Sequence, residues 1–483
     1  MRRPPAALLA AAAALLLYLA LGQRAFHGAD AYHYLRALQA GNLRNAQIPF
    51  YPPLAWAWAK LLCCAGVPLY EAVRSLSAVA AALGVLAAHR AALTLTGDRA
   101  RALLVAAGCA LTPAVLDTAT VVEVDAVLFA CACLAWLPFA RLLRGGGAGA
   151  ACATGALTAV AGGFHGCGHL LALSLCGLQL VWGWPGRRLR ATVPGLLALA
   201  ATHALLTLLF GWLDGGGGQA EQASNTAGLS FRAGFVPCVI WHEWLLPYVP
   251  FCLLPLAALR APALRSAVAG LFVCLCGYLF VTTLIIGLFE PTGPALPHGA
   301  CEYGSFLLGW TLPAVLLSIR ALPLRAGALA VACAGVAGVW QVRAHDWPPD
   351  PDGYASGYAE IAAAGPVLVI VDDAREWAWI ARRHPDADCT MVRGFFELQL
   401  LPEAANRHLP RGPELFANAV PALPATRQRQ PPPALLITER ALARMQSSQV
   451  PELATAANQL LPRTFEFEPV NAQGFRAFRL RPR

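Results

Sequence analysis

The chain has 483 residues, of which 57% are hydrophobic and 13% are charged, and its mean hydropathy is +0.53. A soluble protein has about a quarter of its residues charged, so this composition excludes the soluble globular class and predicts a polytopic membrane protein. The net charge of +9 does not indicate nucleic-acid binding, because most arginines outside the C-terminal part lie in short connections between apolar segments. Arginines in such connections set membrane orientation.

The first apolar segment runs from Ala6 to Gly22 and follows a basic start at Arg2 and Arg3. It is longer than the core of roughly 7–15 residues that a cleaved signal peptide carries, and no A-x-A cleavage site follows it. We therefore predict an uncleaved signal anchor with a cytoplasmic N-terminus.

Further apolar segments approach the length of about 20 residues that a spanning helix needs. They cover 69–88, 102–120, 124–140, 148–164, 169–184, 191–212, 244–259, 266–288, 303–319 and 326–342. Together with the first segment they predict about 11 spans. The alternative at 148–184 is one long helical hairpin with a re-entrant bend at the sequence FHGCGH.

The connections between these segments alternate in charge, and every basic connection falls on the side of Arg2 and Arg3. By the positive-inside rule that side is cytoplasmic. The C-terminal part then lies outside. The same orientation places a set of acidic and histidine residues at the outer face: Asp30, Glu123, Asp125, His165, His169, His242, Glu243, Glu290, His298 and Glu302.

The first outer loop, residues 28–54, carries the densest set of polar and aromatic residues near the N-terminus. If its first half is an interfacial helix, Asp30, His33 and Tyr34 share one face by their i+3/i+4 spacing. Pro52 and Pro53 forbid continuation of that helix. The next run, LAWAWAKLLCCAGV, is too short to span, and its tryptophans predict a second interfacial helix. Lys60 in this helix either has no functional role or is a cation for a lipid phosphate.

Asp30, Tyr34 and the sequence Tyr51-Pro-Pro-Leu54, in an outer loop directly after the first span, resemble the GT-C superfamily of integral-membrane glycosyltransferases. The likeness is greatest to the bacterial aminoarabinose-transferase and protein O-mannosyltransferase type. Those families carry Asp-Glu at the start of the loop, whereas this chain has Asp30-Ala31. The pair Glu123 and Asp125 resembles a second acidic patch that many of these enzymes hold near the catalytic Asp.

This resemblance implies transfer of a sugar from a polyprenyl-phosphate donor to a lipid, glycan or protein acceptor at the outer face of the bacterial cytoplasmic membrane. Such a reaction needs a base for the acceptor hydroxyl, and a partly desolvated carboxylate can serve. We expect Asp30 to be that base, although Asp is also a favoured helix N-cap.

The leaving phosphate needs positive charge. The candidates are arginine or lysine side chains, or a divalent cation (Mg or Mn) held by Glu123 and Asp125. The basic candidates are Arg36, Arg44, Lys60 and Arg232. The alternative for the acidic pair is a solvated position at a helix N-terminus.

Two further groups complete the predicted substrate-binding residues, which also include His33, Tyr34, Arg36, Tyr51, Lys60, Glu123 and Asp125. His165 and His169 are either an interface pair or a hydrogen-bonded pair near the substrate. A zinc site is disfavoured because Gly166 and Gly168 disrupt a regular helix. The sequence WHEW at 241–244 lacks the second histidine of HEXXH, and after the Gly-rich loop we expect Arg232, His242 and Glu243 to border the cavity.

The composition changes after Trp340, and the sequence predicts a membrane domain at 1–343 followed by a small extracytoplasmic α/β domain at 344–483. GPVLVIVDD reads as a buried strand that leads into a helix start at Asp372 and Asp373. PALLITERALARM reads as a strand followed by a helix, and the last 20 or so residues alternate as a hairpin does.

Three other functions remain open from the sequence. A secondary transporter should show internal repeats and charged helices at mid-membrane, whereas the ionisable residues here gather at one face. A polysaccharide ligase or polymerase usually has its large loop late in the chain. A GT-C scaffold without activity is the third, and the Asp30-Ala31 departure is the feature that keeps it open.

Overall fold

A computed structural model describes most of the chain. The described residues are 6–23, 34–35, 38, 41, 43, 48–183, 189–213, 236–289, 308–345, 353–365, 367–372, 376, 379–380, 384, 388–391, 434–447 and 454–483. They fall into two compact units, a helical unit within 6–345 and an α/β unit within 353–483.

Among its described residues, the helical unit begins with nine helices of known bounds. They are α1 (Ala6–Ala20), α2 (Tyr51–Cys63), α3 (Leu69–Thr96), α4 (Arg99–Leu111), α5 (Pro113–Thr120), α6 (Asp125–Leu143), α7 (Ala148–Phe164), α8 (Cys167–Gly183) and α9 (Leu189–Leu213). An irregular stretch of short helical turns then leads to α10 (Pro262–Phe289), α11 (Leu308–Ala321) and α12 (Leu324–His345).

Several of these helices are suited to a membrane. Within the described residues, five are long and apolar enough to span, or six if α4 and α5, which bend by 57° at Thr112, count as one span. Shorter apolar helices cover Ala6–Ala20, Ala148–Phe164 and Cys167–Val181. The polytopic helical class is confirmed, whereas the total of about 11 spans stays a prediction.

The expected span at 244–259 is not a continuous helix. The chain forms an α turn at Val236–Val239, a π-helix at Ile240–Leu245, an α turn at Leu246–Tyr248 and a 3₁₀ helix at Leu254–Arg260. Pro247, Pro250 and Pro255 lie within this stretch. Each proline removes a backbone donor, so apolar composition alone could not make the segment a regular helix.

Helix α2 confirms the predicted helix after the Pro-Pro pair. Both prolines lie in its first turn, where the missing N–H groups have no intrahelical partner in any case. Its buried face consists of Tyr51, Pro52, Ala55 and Ala59, and it packs on α3. Trp58 Nε1 donates a 3.0 Å hydrogen bond to Ser75 Oγ, which fixes α2 against α3.

The core of the helical unit lies where α3 and α6 meet, and small residues bring the two backbones close together. A Cβ added at Gly84 of α3 would lie 2.6 Å from Cε1 of Phe129 of α6. Phe129, Trp136 and Phe139 are all fully buried along α6. Alanine and glycine on one helix therefore leave room for the aromatic rings of the other.

The basic connections meet at one end of the unit. Arg101 Nη1 donates to the carbonyl oxygens of Ile319 (2.6 Å) and Arg320 (3.0 Å) in the last turn of α11. Arg144 Nη1 donates at 2.6 Å to the Thr94 carbonyl in the last turn of α3. These guanidinium groups satisfy helix C-terminal carbonyls and sit at the negative end of the helix dipole.

Helices α7 and α8 form a tight hairpin whose bend is His165-Gly166. The predicted break of regular helix at FHGCGH is confirmed. The backbones of the two helices approach closely. A Cβ added at Gly168 of α8 would lie 2.1 Å from the Gly162 backbone nitrogen and 2.3 Å from the Ala161 carbonyl carbon of α7. Only glycine fits at position 168 without displacing backbone.

The C-terminal unit contains helix α13 (Tyr354–Ala363) and a five-stranded sheet. The strands are β1 (Val367–Val371), β2 (Asp388–Met391), β3 (Ala434–Thr438), β4 (Phe465–Ala472) and β5 (Phe475–Pro482), in the order β2-β1-β3-β5-β4. β1 is parallel to β2 and β3, and β5 is antiparallel to β3 and β4. Helix α14 (Glu439–Gln446) follows β3, and short helical turns lie at Ala456–Leu460 and Leu461–Thr464.

This unit confirms the predicted strand at 367–371, the strand-helix pair at 434–446 and the terminal hairpin. Asp372 follows β1 directly and forms an ion pair with α14, in which its Oδ1 lies 3.2 Å from Arg444 Nη1. Glu376 is buried and accepts hydrogen bonds from the Asp372 N–H (2.9 Å) and Thr438 Oγ1 (2.7 Å). These contacts join the carboxyl ends of β1 and β3. Asp373 lies outside the described residues.

We predict that Gly168→Ala lowers the free energy of unfolding by about 1–3 kcal/mol, because the new methyl group must displace backbone of α7. The matched control is Gly166→Ala, two residues earlier, where an added Cβ meets nothing within 4 Å. Thermal unfolding of the two purified variants in detergent measures the difference. Equal midpoints would show that α7 and α8 are not this close.

Candidate functional site

Gln23 joins the end of the first helix to the segment that carries the acidic pair. Its backbone N–H donates to the Thr120 carbonyl at 2.9 Å, and its side-chain Nε2 donates to Asp117 Oδ1 at 2.9 Å and Thr120 Oγ1 at 3.1 Å. Its carbonyl accepts from Tyr70 Oη at 3.0 Å. Gln23 and Asp117 are only 2% and 4% exposed. A buried amide with these partners holds α1, α3 and α5 in one arrangement.

Glu123 and Asp125 follow on the short segment between α5 and α6. Ser77 of α3 holds this segment, because its Oγ donates to the Glu123 carbonyl at 3.2 Å. The Glu123 carboxylate accepts from the Val124 N–H at 3.2 Å. Asp125 is buried and lies in the first turn of α6, where the helix dipole favours an anion. The alternative of two solvated acids therefore does not describe Asp125.

Tyr51, the first residue of α2, is fully buried and is within electrostatic range of this acidic pair. Its ring packs edge-to-face on Tyr34 with centroids 5.0 Å apart. Burial, followed by the negative charges of Glu123 and Asp125, raises the pKa of the Tyr51 phenol well above its usual value. Within the described residues its hydroxyl has no hydrogen-bond partner. A buried polar group of this kind marks a place for a ligand group or water.

The bend between α7 and α8 contacts Phe50, which precedes Tyr51. The Phe50 N–H donates to the Gly163 carbonyl at 3.1 Å, and the Phe50 ring packs on Phe164 and Phe210. Cys167, the first residue of α8, is within electrostatic reach of the Asp125 carboxylate. Phe50 and Tyr51 at the end of the first outer loop, the acidic pair and the hairpin bend thus lie at one end of the helical unit.

His165 lies in this bend and is held neutral. Its Nδ1 accepts a 3.2 Å hydrogen bond from the Cys167 N–H. Burial and the neighbouring His169 lower the pKa of His165 from 6.5 to about 4. An imidazole in this state has its Nε2 protonated, because Nδ1 is the acceptor, and it offers a neutral donor rather than a cation at neutral pH.

Lys60 does not join this group. It is exposed and lies over the Trp56 ring, 5.6 Å from the centroid. Nine residues of helix separate it from Tyr51, which is roughly 13 Å along the axis. Lys60 with Trp56 is therefore an aromatic-cationic feature of the exposed face of α2, and its role as a phosphate ligand stays a prediction.

Other predicted site residues lie partly or wholly outside the described part of the chain. Asp30, His33, Arg36, Arg44, Arg232, Glu290, His298 and Glu302 fall outside it, as does the side chain of His242. Glu243 is described and is 3% exposed on the π-helix at Ile240–Leu245. A π turn often marks a functional position, because it re-aims side chains out of helical register.

Several residues of the region escaped the sequence analysis. Gln23, Asp117 and His203 sit within or at the ends of apolar runs, and each has no motif around it. The one available signal was the presence of a carboxylate, an amide or an imidazole inside a predicted span, since such residues are costly in hydrocarbon unless paired. Their partners come from distant parts of the chain, so spacing could not reveal them.

Neither the protein-family models nor the curated protein sequences contain a match to the chain. The solved structures do. ArnT from Cupriavidus metallidurans bound to undecaprenyl phosphate aligns with a TM-score of 0.55 at 14% identity, over 98% of this chain and 97% of ArnT. The archaeal oligosaccharyltransferase AglB from Archaeoglobus fulgidus, in complex with an inhibitory peptide and a dolichol-phosphate, aligns with a TM-score of 0.53 at 10% identity, over 98% and 74%.

A third similar structure, the arabinofuranosyltransferase AftD from Mycobacteria, aligns with a TM-score of 0.52 at 15% identity, over 98% of this chain but 40% of AftD. All three are GT-C membrane glycosyltransferases. The chain has the GT-C fold. The expected resemblance is confirmed at the level of fold.

We predict that His165 makes the fold sensitive to acid. Its pKa in the folded state is below the value of 6.5, so the unfolded chain binds a proton first as the pH falls from 6.5 to about 4. This contribution to stability is therefore complete above pH 6.5 and is lost through that window.

The measurement is thermal unfolding as a function of pH for the wild type and His165→Asn. Asparagine keeps an acceptor for the Cys167 N–H but does not titrate. The variant should lose less stability than the wild type between pH 6.5 and 4. Parallel curves would show that His165 is not held neutral.

Proposed function

We propose that this protein is a glycosyltransferase that moves a sugar from a polyprenyl-phosphate donor to an acceptor at the outer face of a bacterial cytoplasmic membrane. The observation that carries the proposal is that buried Tyr51 is within electrostatic range of Glu123 and Asp125 at one end of a GT-C fold. The opposite end carries Arg101 and Arg144, which supports an outward orientation of the acidic end.

The donor class is supported by two of the similar structures, since ArnT is bound to undecaprenyl phosphate and AglB to a dolichol-phosphate. The acceptor is a lipid, glycan or protein hydroxyl. In this proposal residues 1–343 form the catalytic membrane domain, and residues 344–483 form a second, extracytoplasmic domain. The proposed partners of the whole protein are membrane lipids, the donor and the acceptor. Nucleic acid is not among them.

The proposed reaction is a displacement at the anomeric carbon. Asp30 takes the proton of the acceptor hydroxyl, the acceptor oxygen bonds to the anomeric carbon, and the bond from that carbon to the phosphate oxygen breaks. The electron pair leaves with the polyprenyl phosphate. Glu123 and Asp125 are within electrostatic range of buried Tyr51, so a preorganised site would border the reacting centre.

The described residues include no set of three His, Cys, Asp or Glu side chains that could hold a metal ion. Glu123 and Asp125 are two carboxylates, and one or two carboxylates together with substrate phosphates are what usually hold Mg²⁺. The positive charge for the leaving phosphate is assigned to Arg36, Arg44 or Arg232, or to a divalent cation that Glu123 and Asp125 would hold.

We predict that Asp30→Asn lowers transfer activity by about 10²–10⁴-fold, the usual contribution of a general base. The purified full-length protein is incubated with labelled polyprenyl-phosphate sugars and membrane extract, and released polyprenyl phosphate is measured. Asparagine caps helices as well as aspartate does, so a capping role alone predicts little change.

The matched control for Asp30→Asn is Asp98→Asn at the other end of the unit. Asp98 caps α4 through hydrogen bonds from the N–H groups of Ala100 (2.8 Å) and Arg101 (3.2 Å). Its substitution should leave activity within about twofold, since asparagine keeps the cap. Full activity in a correctly inserted Asp30→Asn protein would remove Asp30 from the mechanism.

We predict that Tyr51→Phe lowers transfer activity without loss of stability. The phenylalanine keeps the ring contact with Tyr34, and it removes a buried hydroxyl that has no partner in the described part of the chain. Thermal unfolding and donor turnover are measured on the same preparation.

The control for Tyr51→Phe is Tyr18→Phe. The Tyr18 hydroxyl donates at 3.0 Å to the buried Ala110 carbonyl, so its loss should lower stability by about 0.5–1.5 kcal/mol and leave turnover unchanged. If Tyr51→Phe behaves as Tyr18→Phe does, then the Tyr51 hydroxyl is a structural group and not part of the site.

A further inference from the structure

A chain of three polar side chains crosses the hairpin and its neighbouring helix. His169 Nδ1 of α8 lies 3.1 Å from His203 Nε2 of α9, and His203 Nδ1 lies 3.0 Å from Thr158 Oγ1 of α7. The two imidazole rings meet edge-to-face with centroids 5.2 Å apart. Thr158 is fully buried, and both histidines are half-buried.

Close packing of α7 on α9 creates this arrangement. A Cβ added at Gly155 would lie 2.4 Å from the Leu199 carbonyl oxygen and 3.1 Å from the His203 nitrogen. Glycine at this position therefore allows the two backbones to touch. Thr158 follows Gly155 by three residues and His203 follows Leu199 by four, so the next turn of each helix presents these two side chains to each other.

The hydrogen bonds among these three side chains all have the same direction, with His169 donating to His203 and His203 to Thr158. The Thr158 hydroxyl donates its single hydrogen to the Gly155 carbonyl at 2.9 Å, so its oxygen faces His203 as an acceptor. The Gly155 carbonyl also interacts with the His203 ring, and a carbonyl oxygen can only accept. His203 therefore carries its hydrogen on Nδ1, and its Nε2 accepts the Nδ1–H of His169. The His169 Nε2 is left with a lone pair.

We propose that His203 is a positioning residue that holds His169 as the Nδ1–H tautomer, and that His169 Nε2 accepts a hydrogen bond from a hydroxyl of the transferred sugar or of the acceptor. The proposal rests on the proposed function. His169 follows Cys167, which is within electrostatic range of Asp125, by two residues. The hydrogen bond described for His169 uses Nδ1, so it leaves Nε2 available. A lone pair repels phosphate and carboxylate oxygens and selects a hydroxyl donor.

The tautomer is tested by nitrogen NMR of the full-length protein labelled with ¹⁵N-histidine, with His169→Gln used to assign the His169 signals. In the wild type the His169 Nδ1 should be protonated and its Nε2 should not. His203→Gln supplies an amide oxygen as the acceptor and should keep this state. His203→Leu removes the acceptor, and the Nε2–H form should then appear. An Nε2–H signal in the wild type, or no change in His203→Leu, overturns the proposal.

Recognition of a hydroxyl is tested with His169→Phe and His169→Gln. Undecaprenyl phosphate without a sugar is one probe, and the sugar donor that the wild type turns over is the other. Loss of one hydrogen bond in His169→Phe should weaken donor binding, or raise the KM for the acceptor, by roughly three- to tenfold. His169→Gln, which keeps an acceptor, should recover most of the loss.

The two measurements distinguish a hydroxyl of the sugar from a hydroxyl of the acceptor. Weaker binding of the sugar donor assigns it to the sugar, and a raised KM for the acceptor assigns it to the acceptor. Equal weakening of undecaprenyl phosphate, or no change in either measurement, overturns the recognition. If the wild type turns over no donor, the proposed function fails, and the NMR result still decides whether His203 sets the His169 tautomer.

Discussion

The hydrogen bonds of Gln23 are the contact on which the arrangement of the acidic end depends. A side-chain amide at the end of an apolar helix must find partners, because leaving it unpaired in a buried position costs about 1–3 kcal/mol. Its partners are Thr120 and Asp117, and Tyr70 binds its carbonyl. Thr120 is three residues before Glu123. The end of the first helix is therefore tied directly to the segment that carries the acidic pair.

Small residues then decide how closely the helices approach. Gly84, Gly155 and Gly168 each face backbone or aromatic atoms at distances that exclude a Cβ. In a lipid environment helices associate through such close packing rather than through hydrophobic burial alone. The approach at Gly168 forms the hairpin bend beside Asp125, and the approach at Gly155 brings Thr158 to His203. Polar contacts that cross between helices thus follow from glycine positions.

The electrostatic consequence is a region in which the buried Tyr51 phenol and the His165 imidazole stay uncharged. Burial and the neighbouring carboxylates keep the Tyr51 phenol protonated, and burial keeps His165 neutral to about pH 4. Such a site offers neutral donors and acceptors around the two carboxylates. In the proposed function, that character suits the binding of sugar hydroxyl groups, and the strong charges are those of the acids and of the leaving phosphate.

How much of the fold and of the site could be predicted from the sequence depends on the kind of interaction. The helical membrane class, the helix after Pro52 and Pro53, the break at His165-Gly166 and the terminal hairpin depend on local composition, turn chemistry and periodicity. The GT-C resemblance depended on the short motifs around Asp30, Tyr51 and Glu123, and the fold bears it out. These features are local, so the residues beside them carry the signal.

Only the tertiary structure decided which distant residues meet. The span expected at 244–259 is broken by a π turn and a 3₁₀ turn, because three prolines outweigh the apolar composition that predicted a helix. The Gln23–Asp117 and His169–His203–Thr158 contacts join residues 34 to 94 positions apart. No periodicity encodes such pairs. They arise where glycine lets two backbones approach, and that distance is a property of the packed helices.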